Sequence, residues 1–451
     1  MAAFNMMNTI NLSYRHLFPL FLLLLCPFTQ ANALEQRNNV SYLRGPYNFA
    51  FYNRHNSAYR LQAGIHFAHG KQHDVLLLDK QSNHKKSDAS FEEESLAMTY
   101  GPPRIEPPME LYAPYSAQSN YMLFRAIDWT HMLHEQTYDI LSAKNISWED
   151  KKYWTDRIVK YYLEELDVPR SPAPLDITMR RAGTMMKPYF TVFRNYYPES
   201  NNYFFAAHWW HPVVYEAMML SGNGPEQDDA VRRINEVYFS EVLKKRPMRM
   251  LLSREVMPRY SRLSPEAANA FDNLHMLHGI AYDIMAYDGW TLEQKTAEIK
   301  RVVKAMSYQP GDEELAAKFP LPRPDYDPFE YDDQTQGFEG EMNRIMMEMW
   351  EEMMPMMMPD GMSQDMKKNV MTQLRMKLMP GMEDGEKQGS LMEAVKSIMP
   401  KMKMSEESMG AGTTDTKMVN MMLDGWKKKH GDTPKVEPIQ MSLYKGVSYN
   451  E

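Results

Sequence analysis

Cysteine is almost missing from this chain. The one copy, Cys26, lies in a short apolar run near the N-terminus that reads as a cleaved signal, so the mature chain is expected to carry no disulfide and no thiolate metal ligand. Other absences narrow the field further. There is no Cys-x-x-Cys-His for covalent haem and no His-Glu-x-x-His for a zinc protease. Repeated Glu-x-x-His, the mark of ferritin-like di-metal sites, does not occur. The 21 glycines form no phosphate-cradling loop. The net charge is −8 and no run of Lys and Arg is interleaved with aromatics, which argues against nucleic acid as a partner. No stretch is long and apolar enough to span a bilayer, and no alternating strand pattern competes with helical periodicity.

The N-terminus has the pattern of a secretory signal. Arg15 and His16 precede the apolar run Leu17–Phe28, and Ala31–Ala33 supplies a small-x-small cleavage pattern. The sequence therefore predicts a signal peptide over 1–33 and a secreted or periplasmic protein. Asn39-Val-Ser41 and Asn145-Ile-Ser147 are glycosylation sequons that matter only in a eukaryotic secretory pathway.

Histidine is what the chain has in pattern. Four His-x-x-His pairs occur, His66/His69, His131/His134, His208/His211 and His275/His278, and they take eight of the 13 histidines. Chance placement would give about 0.4 such pairs. The register extends further. Four residues after the second histidine stand His73, Tyr138, Tyr215 and Tyr282, and one residue later Asp74, Asp139, Glu216 and Asp283. Thirteen residues after it stand Ser82, Ser147, Gly224 and Thr291. The last three read as helix N-caps, with Pro225 as a first-turn residue and Gln294 completing a capping box. The unit is a histidine helix, a loop and a second helix, although after Ser82 the partner helix looks lost or displaced. Pro212, directly after His211, predicts a start or kink there, which would put His208 and His211 on an opening turn.

The first and third pairs are 142 residues apart and the second and fourth 144. The expectation is an all-α, internally duplicated helical-hairpin domain, bundle or repeat, over 34–319, with halves at about 45–165 and 190–310. A Pro-rich acidic linker follows at 320–337, then a Met-rich segment of short helices at 338–425 and a polar tail at 426–451.

Histidines three apart on a helix stand about 5–6 Å apart at Cβ, close enough to serve one metal ion or two neighbouring ones. Neutral imidazole suits copper, zinc and iron. On the second and fourth helices Asp128, Tyr138, Asp272 and Tyr282 share the histidine face, the carboxylates to orient rings or ligate and the tyrosines to hydrogen-bond a bound oxygen species. Methionine adds a soft donor. More than half of the 42 methionines lie between Met342 and Met422, and clusters such as Met353, Met354, Met356, Met357 and Met358 offer thioethers that select Cu(I). Three readings follow. One is an exported copper-binding protein. The second is a metal-dependent oxidoreductase with a mono- or dinuclear His/Tyr/carboxylate site. The third is a non-catalytic helical scaffold whose Met-rich segment docks a protein partner.

Overall fold

The computed structural model describes residues 42–79, 83–106, 109–184 and 187–317, together with Ile345, Glu348, Ser363 and Asp365. The expected signal segment, Ser82, the expected linker at 320–337 and the methionine cluster Met353–Met358 lie outside the described residues. Among those described the chain is helical, with a single isolated bridge between Arg170 and Ser307 and no strand. The all-α class expected from the sequence is the one adopted, and no described helix is long and apolar enough to cross a membrane.

Seven helices recur in the same order. In the first half they are α1 (Ala50–Arg54), α2 (Asn56–Leu78), α3 (His84–Tyr100), α4 (Met109–Tyr112), α5 (Pro114–Ser119), α6 (Tyr121–Ser142) and α7 (Trp148–Glu165). After a connecting helix, α8 (Leu175–Ala182), come α9 (Val192–Tyr196), α10 (Pro198–Ser221), α11 (Pro225–Val237), α12 (Ser253–Val256), α13 (Pro258–Leu263), α14 (Pro265–Ala286) and α15 (Leu292–Ala305). Small details recur with them. Phe49 and Thr191, ahead of α1 and α9, both have left-handed backbone, with φ of 65° and 73°, a conformation uncommon for a side-chain-bearing residue. Lys151 donates to the Leu141 carbonyl at 2.5 Å and Lys295 to the Met285 carbonyl at 2.6 Å.

The four histidine helices form the centre. Helix α2 packs on α14 and α10, and α6 packs on the same two. Buried residues run round the whole circumference of each, as expected of helices enclosed by others. The outer helices bury one stripe only, such as Ile158, Val159, Tyr162 and Leu163 on α7, or Ile299, Val302 and Val303 on α15. The caps are as the sequence implies. Ser147 accepts from the Asp150 N–H, Thr291 and Gln294 form a capping box, and Gly224 and Pro225 open α11.

Two expectations fail. The partner helix of the first unit is not lost: α3 is a 17-residue helix packed on α2 and α10. Its buried stripe is Asp88, Phe91, Ser95 and Thr99, at helical spacing but mostly polar, so hydrophobic periodicity misses it. Nor does Pro212 start a helix or put His208 and His211 on an opening turn. It sits inside the 24-residue α10. A proline there removes one backbone hydrogen bond, but Trp209, Trp210, Val213 and Val214 around it are all fully buried, and this packing outweighs the loss.

The acids five residues after each pair hold the architecture together. Asp139 on α6 accepts from the N–H groups of Phe49 and Phe51, both at 2.8 Å, at the start of α1. Asp74 on α2 returns the contact, accepting from Tyr115 and Ser116 at the start of α5. In the second half Asp283 accepts from Thr191 and Phe193 ahead of α10, and Glu216 from Arg259 and Tyr260 ahead of α14. Each histidine helix thus caps the short helix that leads into its neighbour.

Asp139→Ala and Asp283→Ala each strand two backbone N–H groups. Each is expected to lower the unfolding free energy by about 2–4 kcal/mol, read from urea unfolding followed by circular dichroism. A loss under about 0.5 kcal/mol would remove the caps from the list of main supports.

Candidate metal centre

Nine histidines meet in the middle of the four central helices: the eight of the pairs and His73. None is more than 5% exposed. The histidines therefore do not lie on a solvated helix face: both that face and its opposite are buried.

The eight paired histidines form a closed circuit of neighbouring rings. Corresponding contacts in the two halves have matching lengths. His66 stacks on His131 with centroids 3.6 Å apart, and His208 meets His275 at 4.1 Å. His66 lies 5.0 Å from His211, and His208 4.9 Å from His69. His134–His211 and His278–His69 are 5.4 and 5.7 Å, and His134–His275 and His278–His131 are 6.0 and 6.5 Å. Two trios stand out, His66/His131/His211 and His208/His275/His69. Each takes two rings from one half and the third from the other, with His134 and His278 between them.

Hydrogen bonds fix the rings in the same reciprocal way. Tyr138 on α6 bonds His211 through ring Nδ1 at 2.9 Å and carbonyl at 3.1 Å. Tyr215 on α10 does the same to His134, its hydroxyl against Nδ1 and 3.2 Å from the carbonyl. Tyr282 on α14 donates to the His69 carbonyl at 3.0 Å, and His73 on α2 shares a proton with His278, Nε2 to Nε2, at 2.8 Å. His208 Nδ1 donates to the Phe204 carbonyl at 2.6 Å, which leaves its Nε2 as a lone pair. His66 Nδ1 is 2.8 Å from Glu106 Oε1, an arrangement that orients a ligating ring.

Several polar atoms remain unserved. His66 Nε2, His69 Nε2, His73 Nδ1, His131 Nδ1, His275 Nδ1 and Glu106 Oε2 are buried without a hydrogen-bond partner. Leaving five ring nitrogens so would cost on the order of 5–15 kcal/mol, comparable with the net stability of a whole domain. Ligand atoms of His66, Glu106 and His131 lie within 4.8 Å of one another.

Eight of the nine rings are held neutral. Burial, and then the neighbouring imidazoles, push His69, His131, His134, His211, His275 and His278 well below the usual range. Burial takes His73 and His208 down to about 3. Neutral imidazole is the form that binds metal.

The remaining sequence-predicted residues fall nearby with other partners. Tyr138 and Tyr282 bond the histidines as described. Asp272, buried, accepts from the Ser253 N–H at 2.9 Å, at the start of α12. Asp128 is buried on α6. The methionine cluster lies outside the described residues. Sequence reasoning missed Glu106, which stands in the proline-rich stretch Pro102–Pro108 with no periodicity to mark it, and left His73 out of the ligand set although the repeat register placed it there. No family model, curated protein or solved structure matches this chain.

The neutral rings set a pH dependence for the metal-free protein. Their folded pKa values lie below the unfolded value of about 6.5, so the unfolded chain binds more protons and stability is lost as pH falls from 6.5 toward 3. Asp139, Asp272 and Asp283, raised by burial to about 7, act in the opposite sense between about 4 and 7, but three carboxylates oppose eight histidines. Unfolding free energy measured across this range in chelator-treated protein is expected to fall steadily on acidification. A flat or rising profile would overturn the neutral assignment.

Proposed function

We propose that this is a metal-binding protein whose interior holds two ions, one on His66, His131 and His211 and one on His208, His275 and His69, with Glu106 orienting the first site. The observation that carries this reading is the set of buried, unpartnered ring nitrogens, of which those of His66 and His131 belong to residues whose ligand atoms, with Glu106, lie within 4.8 Å of one another. A hydrogen-bonded scaffold would have satisfied them. Copper is the metal we favour, because an all-imidazole set accepts it readily and the methionines of 338–425 would offer soft, exchangeable Cu(I) sites on the same chain. Zinc and iron are the alternatives. We read the recurrence of the halves as a duplication, and the N-terminal segment as an export signal.

The second reading, a metal-dependent oxidoreductase, draws on the tyrosines. Tyr138 and Tyr215 are in ring contact with each other at 4.3 Å; Tyr138 bonds the candidate ligand His211, and Tyr215 bonds His134 between the trios. A redox-active metal pair would supply one-electron or dioxygen chemistry, and these phenols hold a proton at the ring nitrogens or carbonyls of His211 and His134.

Metal analysis after dialysis against a chelator that strips weak thioether sites tests the proposal. The native chain is expected to keep about two ions. His131→Ala and His275→Ala are each expected to lose one, and the double variant both, together with the dependence of Tm on added metal. Unchanged metal content in the double variant would refute the site.

A further inference from the structure

The two halves of the centre differ in what surrounds them. Beside the second trio lies a cavity of about 100 Å³ whose lining includes His275, Met276, Gly279, Met250, Phe193 and Phe204. His275 is the only one of these that belongs to a trio, and its Nδ1 is buried without a partner. Gly279 sits one helical turn along α14 from His275 and is partly exposed. A side chain added there would meet nothing within 4 Å. Four of the corresponding positions of the first half are polar, Glu106 for Met250, Gln62 for Phe204, Glu135 for Gly279 and Gln136 for Ile280, while Met276 and Phe193 correspond to Met132 and Phe51. Gln62 and Glu106 are buried, and Glu106 is committed to His66. The first half thus has the buried polar side chains Gln62 and Glu106 where the second has Phe204 and Met250 lining a mostly apolar space.

We propose that this cavity is a binding pocket for a small, neutral, apolar molecule, and that it gives such a molecule access to the His208/His275/His69 site alone. Size and chemistry set the class. An apolar cavity of about 150 Å³ stays dry and takes benzene or xenon, so this one fits dioxygen or an organic molecule smaller than benzene. Phe193, Phe204 and the two methionines offer dispersion contacts; Arg194, Asn201 and Asp283 also reach the wall, but Asp283 is spent on the N–H groups of Thr191 and Phe193, and the wall is mostly apolar, which favours a neutral molecule over an ion. The pocket stands on its own geometry. Its link to bound metal rests on the function proposed above.

Two measurements separate these parts. In crystals of the full chain under xenon pressure, xenon is expected beside His275 and nowhere near His131. Gly279→Leu fills the cavity and should abolish that site, while Glu135→Leu, the matching change on α6, should leave it. In the Cu(I)-loaded full chain, carbon monoxide is expected to give one infrared band for each chain, slowed at least tenfold in Gly279→Leu and unchanged in Glu135→Leu. Absence of xenon beside His275 overturns the pocket. Xenon binding with an unslowed carbon monoxide band in Gly279→Leu overturns the access route. Xenon binding in a chain that retains no metal at the histidines leaves the pocket in place and refutes its metal partner.

Discussion

A neutral imidazole with one nitrogen unmatched is poorly accommodated in a dry interior, and this chain collects nine histidines in one. The arrangement depends on how that demand is met. Water is excluded by the outer helices, and every ring is within reach of another. Some of the demand is met by tyrosine hydroxyls and carbonyls, as at His211, His134 and His208. The rest is left facing inward. Burial that costs this much stability is retained where a ligand repays it, and the neutral state enforced by burial is the one a metal requires.

Much of this was legible in the sequence, because a helix translates spacing directly into direction. His-x-x-His with Tyr and Asp or Glu at fixed offsets gave the histidine face, and Ser147, Gly224 and Thr291 gave the starts of the outer helices. What the spacing could not give was partnership. Asp139 and Asp283 lie on the histidine side of their helices, yet their oxygens go to backbone N–H groups ninety residues away in sequence. Glu106 approaches His66 from a loop, and loops carry no period. The α3 stripe was hidden because Asp88, Ser95 and Thr99 are polar. Asp88 accepts from Glu199 and Ser200, and Thr99 meets the Tyr203 hydroxyl, so the burials of Asp88 and Thr99 are satisfied one bond at a time rather than by hydrophobicity.

The connection between the halves is itself structured. Arg170 is fully buried and donates to the carbonyls of Val168 and Val303, and Arg181 makes a two-pronged pair with Asp312 at 2.7 and 2.9 Å. Glu348, beyond the linker, reaches Arg180 at 3.4 Å, and Ile345 is buried. The beginning of the Met-rich segment is therefore in contact with the helical domain at α8, the same element that joins its halves.

The backbone caps and the ring contacts divide the molecule differently. The acid-to-backbone caps on the short helices stay within one half, from Asp139 and Asp74 in the first to Asp283 and Glu216 in the second, whereas Asp88 of the first half caps the start of α10 in the second. The tyrosine-to-histidine bonds cross from one half to the other, and so does the third ring of each trio. Each half thus caps its own short helices, and the two are joined by the candidate ligand rings together with Asp88 at the start of α10 and the Arg54–Asp228 pair. An ion bound at either trio would be a rivet: it would couple the rigidity of the whole bundle to occupancy, and make loosening of one half against the other the natural route by which metal enters or leaves.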